Sequence, residues 1–316
     1  MNQKTFESIY FEFNEKLKKR EFEEALLLVP FMLNKANNQI DRFYALMGEA
    51  TALTSLNKHE EVISIYKEII AEFADNKNEV ISKFLAFAYY NQALIYAKQK
   101  NYKKERDTYN KLLVKYIDDI SPELEIVLVK SFLNKAICIC ELKDESRALE
   151  VYRELVVNFQ KSTNNDVLVN VAQALYNMAL IYGKNNNHEE SIKIYDELIS
   201  KFNQNENQYI LELYVKSLVN KASRLKDLNK NIEAINIYNE VIEKFEAYTG
   251  TILNQVAIAL HNKTIILSQL QDEKELLKTC DFIIERFSNT KHQMVLDIVS
   301  SAQVIKDKDR FNNNSW

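Results

Sequence analysis

Two short motifs have residue types that could do chemistry. His59-Glu60-Glu61 recurs as His188-Glu189-Glu190, and an imidazole beside carboxylates can hold a metal or move a proton. Neither copy has the second histidine four residues on that would place two zinc ligands on one helix face. Equivalent stretches carry Asn231 or Glu273 instead. The motif therefore reads as a solvated helix start, where acids are favoured by the helix dipole. His261 and His292 stand apart from both copies. Cys138, Cys140 and Cys280 are the only cysteines, and their number and spacing make neither a disulfide framework nor a zinc site. They read as core thiols of a reducing compartment. No phosphate loop, nucleophile elbow or dinucleotide fingerprint occurs. The expectation is a chain that is not an enzyme, with no cofactor and no metal.

The residues best suited to recognition are amides and lysines on a regular spacing. Asn91, Asn134, Asn177, Asn220 and Asn262 are separated by 43, 43, 43 and 42 residues. Four positions before each stand Phe87, Lys130, Gln173, Lys216 and Ile258, and residues four apart share one face of a helix. Asn can both donate to and accept from a peptide backbone, and Lys supplies charge to a carboxylate. Two roles are open to the amides: contact with a bound segment, or bonds to neighbouring helices. A buried amide with no partner costs roughly 1–3 kcal/mol, so one of the two must hold at each position.

The elements that position them follow the same period. Phe73, Tyr116, Phe159, Phe202, Phe245 and Phe287 form one ladder; Tyr66, Tyr109, Tyr152, Tyr195, Tyr238 and Cys280 form a second. Ala50, Ala93, Ala136, Ala179, Ala222 and Thr264 form a third, of small residues. The single shortened step falls between Phe245 and Asn262, around Tyr248-Thr249-Gly250, where a lost loop residue leaves helical faces in phase. Within each unit the apolar spacing predicts an A helix of about 20 residues and a B helix of about 15. Ser121-Pro122-Glu123 reads as N-cap, N1 and acidic first turn. Glu23 to Asn34 reads as the first B helix, which Pro30 should kink. Seven A/B pairs are expected, then a last helix around 291–305. This makes residues 1–305 one domain and 306–316 a polar, frayed tail.

Leu175, Asn177, Met178, Ala179, Tyr182, Glu189, Glu190, Ser191, Tyr195 and Leu198 resemble the signature of the tetratricopeptide repeat family. The segment Asn231–Ile242 matches the second half of that signature. The resemblance spans residues 2–288 and departs in two ways: the period is 43 residues where the family has 34, and the closing proline is absent. It implies an all-α fold, a right-handed α-α superhelical solenoid of about seven helix-turn-helix pairs with a C-terminal capping helix. A helices would line its concave side. It also implies that Lys130/Asn134 and Lys216/Asn220, flanking Gln173/Asn177, are similar to the Lys/Asn pairs that clamp a peptide carboxylate in some members, with Asn91 and Asn262 extending the row.

Composition agrees with a helical repeat. The chain has 316 residues with only 3 Gly and 2 Pro, and 47% are hydrophobic. Its formal charge is −4, with pI near 5.8 and no basic block, so nucleic acid is not the expected partner. No apolar run is long enough for a membrane span and no signal peptide is evident, which gives a cytoplasmic expectation. The high Asn, Lys and Ile content suggests an AT-rich bacterial genome. The functional expectation is a non-catalytic adaptor or scaffold binding a protein or extended peptide on its concave face. The alternative is a peptide-responsive regulatory sensor controlling a separate effector.

Overall fold

The computed structural model describes residues 4–119 and 121–313, and among them the regular structure is fifteen α-helices with no strand. The described residues fall into two compact units that divide between Leu155 and Val156. The first unit holds α1 (Phe6–Lys18), α2 (Phe22–Lys35), α3 (Gln39–Ser55), α4 (His59–Phe73), α5 (Glu79–Lys98), α6 (Tyr102–Tyr116) and α7 (Pro122–Glu141). The boundary lies inside α8 (Glu145–Phe159). The second holds α9 (Asn165–Lys184), α10 (His188–Phe202), α11 (Gln208–Asp227), α12 (Asn231–Phe245), α13 (Gly250–Gln269), α14 (Glu273–Phe287) and α15 (Gln293–Asn313). From α4 to α14 the lengths alternate between 15 and 20 residues, as the apolar spacing predicts. The deleted residue lies in the loop before α13, which has four residues where the other B-to-A connections from α4 onward have five.

Within each unit consecutive helices pack side by side. In addition α3 touches α5 and α5 touches α7, while α9 touches α11 and α11 touches α13. Neither α2, α4 and α6 in the first unit nor α10, α12 and α14 in the second make such a contact with one another among the described residues. In each unit the A helices are thus the tighter, inner layer.

The ladders explain this packing. Every residue of the Ala, Tyr and Phe ladders is buried. Small residues let helix A approach helix B, and Tyr fills the space between successive pairs. At Ala179 the approach is close enough for the Ser191 hydroxyl on α10 to donate to the Ala179 carbonyl at 2.7 Å. Ala179→Leu is therefore expected to lower stability by about 1–3 kcal/mol through overpacking. Urea unfolding checks it; a variant as stable as the parent would show that α9 can retreat from α10 at no cost.

Local signals start and stop the helices. Asn78, Asn164 and Asn207 cap α5, α9 and α11, each accepting from backbone N–H groups of the first turn. Part of the Asn richness is thus capping. Ser121 occupies the N-cap position of α7 and Pro122 is N1, but the serine side chain makes no capping bond. Its backbone N–H donates to Asp119 instead, at 2.9 Å.

Each A helix ends in one turn geometry that the residue types do not advertise. Arg20, Asn57, Lys100, Lys143, Asn186, Asn229 and Gln271 all have φ between 55° and 65°. Around each, the next N–H reaches back five positions, as in Lys58 to Leu53 and Asn187 to Tyr182, closing a Schellman motif. α2 continues through Pro30 as one helix to Lys35, with the Leu26 carbonyl lacking its usual donor. α15 continues to Asn313, past the helix end expected at 305.

Candidate functional site

Asn91 is on α5, Lys130 and Asn134 on α7, Gln173 and Asn177 on α9, Lys216 and Asn220 on α11, and Asn262 on α13. All are half-buried except Lys130, which is exposed. The first three lie on adjoining A helices of the first unit; the other five lie on adjoining A helices of the second. The i, i+4 spacing keeps each Lys/Asn or Gln/Asn pair on one stripe. Gln173 shows this directly: its amide donates to Asn177 Oδ1 at 2.8 Å.

The amides are tied into the helix stack through tyrosine hydroxyls. Asn134 Nδ2 donates to Tyr109 Oη on α6 at 3.2 Å and to Tyr90 Oη on α5 at 3.5 Å. Asn220 Nδ2 donates to Tyr176 Oη on α9 at 3.0 Å and also faces Tyr195 on α10. Asn91 and Thr54 face the Tyr66 hydroxyl. Asn262 faces Tyr238, whose buried hydroxyl has no partner within hydrogen-bond distance. Burial pushes all these phenols up, Tyr238 to about 12, and the neighbouring amides pull them partly back. They remain neutral hydroxyls across the physiological range. Tyr90 and Tyr176 are aromatics of A helices two repeats apart, and that doubled spacing is the signal in the sequence for their shared bond to the Asn row.

In Asn134 and Asn220 the nitrogen end of the amide is engaged and the oxygen end is not, whereas in Asn177 the oxygen accepts from Gln173. Neither Asn134 Oδ1 nor Asn220 Oδ1 receives a donor among the described residues, and neither Lys130 nor Lys216 has an acid within 4 Å there. Each stripe therefore presents an acceptor and a cation four residues apart. In the first unit the same face is also aromatic: Tyr44 and Phe84 meet edge to face at 5.9 Å, and Phe84 and Phe87 at 6.1 Å.

The groups that resembled reaction chemistry are placed otherwise. His59 and His188 open α4 and α10, but both are half-buried with Nδ1 sealed from solvent and without a hydrogen-bond partner, Asp227 Oδ2 standing 3.9 Å from that of His188, so the solvated start describes Glu60 and Glu61 and not the imidazoles. Burial pushes the Cys138 thiol up to about 12 and Cys280 to about 11, which leaves both inert as nucleophiles at neutral pH.

Among the described residues no helix is long and apolar enough to cross a membrane. No curated protein matches the chain. Among solved structures, the apo form of RapI is similar at 11% identity over 98% of this chain and 98% of its own, with TM-score 0.55. A signal-transduction ATPase of the STAND type with a tetratricopeptide repeat sensor, from Pyrococcus horikoshii, is similar at 16% identity over 93% of this chain and 42% of its own, also with TM-score 0.55. Both share the fold. The model of the tetratricopeptide repeat matches residues 87–116 and 173–204, one stretch in each unit, covering the later part of α5 with α6 and most of α9 with α10. With fifteen helices in this alternation among the described residues and the repeat signature in both units, the chain carries tetratricopeptide repeats.

Proposed function

We propose that the chain is a non-catalytic scaffold that holds an extended protein segment along the A-helix face of its units. The observation that supports this most is the polarity of the Asn row. Tyrosine hydroxyls engage Nδ2 of Asn134 and Asn220, which leaves Oδ1 without a donor among the described residues and able to accept a peptide N–H. The two roles weighed for these amides are thus compatible in one side chain. Lys130 and Lys216 add a cation beside each acceptor and suit an acidic segment or a C-terminal carboxylate. Gln173, Asn177, Asn91 and Asn262 continue the polar row within their own units.

Coulomb attraction at an exposed face is modest, about 0.5–1 kcal/mol for each Lys. The double variant Lys130→Ala, Lys216→Ala is expected to weaken binding about tenfold and to leave folding intact. The measurement is an array of acidic peptides with free or amidated C-termini, followed by titration of the best binder. Binding by neutral and acidic peptides alike, unchanged in the double variant, would remove the lysines from the site. In the pair Asn134→Ala, Asn220→Ala, both affinity and melting temperature are expected to fall. A loss of stability at unchanged affinity would restrict the amides to the stack.

A further inference from the structure

We propose that the cavity between α6, α7 and the first turn of α8, in the first unit, binds a small molecule carrying a phosphate-type polyanion. The cavity has a volume of about 520 Å³, and its walls include Lys103, Arg106, Lys135 and Arg147 with Asn110 and a single acid, Asp144. Such a volume is within the usual range for small ligands, roughly 300–1,000 Å³. Ile139 and Leu142 add apolar wall. Four cations converge here on a chain whose formal net charge is −4.

The repeat supplies an internal control. Lys135 occupies the position after the Asn ladder, where later repeats carry Lys221 and Lys263. Both of those are paired: Lys221 with Asp196 at 2.5 Å and Lys263 with Glu275 at 2.8 Å. Lys135 has no acid within 4 Å among the described residues. The reason is visible in the register. The position of Asp196 is taken, 86 residues earlier, by Asn110. Two of the other cations also replace acids: Lys103 stands where Glu189 does, and Arg147 where Glu233 does. Asp144 is the one change of opposite sign, standing where Lys230 does.

Burial lowers the Lys135 ammonium below its usual range, with Glu154 partly restoring it and Arg147 and Arg106 opposing it. A half-buried lysine facing two guanidiniums is a cost to folding that an anion would relieve. The guanidiniums are held in place by acids on their own helices: Arg106 by Asp107 at 2.7 and 3.0 Å, and Arg147 by Glu150. Paired guanidinium and ammonium donors suit a phosphate group, whose several charges match them better than one carboxylate does.

The test is calorimetric titration of the full chain with pyrophosphate in low-salt buffer, alongside thermal melting. Submillimolar binding that weakens with added salt is expected. Asn110→Asp should lower the affinity at least tenfold, because it gives Lys135 the partner that Lys221 already has. The second unit accommodates Asp at this position, so the variant should melt no lower than the parent. Arg147→Glu, an exposed change, should weaken binding similarly. Absence of binding would overturn the proposal. So would affinity unchanged in both variants, an equal response to sulfate at matched ionic strength, or binding of a phosphoserine peptide but not of pyrophosphate.

Discussion

Glu105→Gln is expected to stabilise the chain by about 3 kcal/mol at pH 8 and by less than about 1 kcal/mol at pH 5. Glu105 lies in the first turn of α6 and is buried, 4% exposed. It occupies the slot four residues before the Tyr ladder, which Val62, Ala148, Ser191 and Ala234 fill in other repeats. That slot faces helix A, and a carboxylate there is desolvated with no compensating cation. Burial alone pushes its pKa up from 4.5 to about 7. The sign follows from linkage. Between pH 4.5 and 7 the folded chain holds a proton that the unfolded chain has released, so stability falls across this window and stays low above it. Gln keeps the shape and removes the titration. The difference between variant and parent isolates Glu105, since the other carboxylates titrate equally in both. Urea unfolding at several pH values reads it. An equal gain at pH 5 and pH 8, or no gain at either, would mean that the carboxylate reaches water. Glu105→Ala, which restores the small residue, should reproduce the gain at pH 8.

The contrast between Glu105 and its neighbours shows what the sequence could and could not disclose. Ala179, Tyr195 and Phe202 were legible because a stacked helix pair imposes the same burial at the same place in each repeat, and burial restricts residue type. The lost loop residue before α13 was legible for the same reason, since the ladders keep their phase across it. The seven left-handed turn residues were not legible. Schellman bonds hold that geometry for Arg, Lys, Asn and Gln alike, so no glycine marks it. The Lys/Asn spacing was legible as a stripe, but the tyrosine hydroxyls that orient Asn134 and Asn220 come from other helices, and no local spacing records them. The basic cavity of the first unit is hidden for a related reason. Lys103, Arg106, Lys135 and Arg147 are scattered over three helices, and each looks like an ordinary surface charge until the register sets it against the acids of the later repeats.

Tyr195→Ala is expected to cost about 3–5 kcal/mol, the range for deleting a fully buried aromatic side chain. Tyr195 is 1% exposed on α10, which packs against both α9 and α11. Its ring meets that of Tyr176 at 6.2 Å, and its hydroxyl is approached by Asn220 and Ser191. One side chain therefore joins three helices, and it belongs to a ladder whose members Tyr109, Tyr152, Tyr195 and Tyr238 are the largest fully buried side chains among the described residues. No helix pair of a stacked array can bury its apolar stripe alone, so each pair depends on contact with the next. Removing Tyr195 leaves a cavity at such a contact, which the surrounding structure closes only in part. Tyr195→Phe separates the two contributions. It keeps the ring and loses only the hydroxyl, and should cost about 1 kcal/mol. Urea unfolding gives both differences, and hydrogen exchange locates them: faster exchange should centre on α9, α10 and α11 and fade toward α13. A loss under about 1 kcal/mol for the alanine variant, or faster exchange spread evenly over the unit, would show that the Tyr ladder does not carry the coupling between helix pairs.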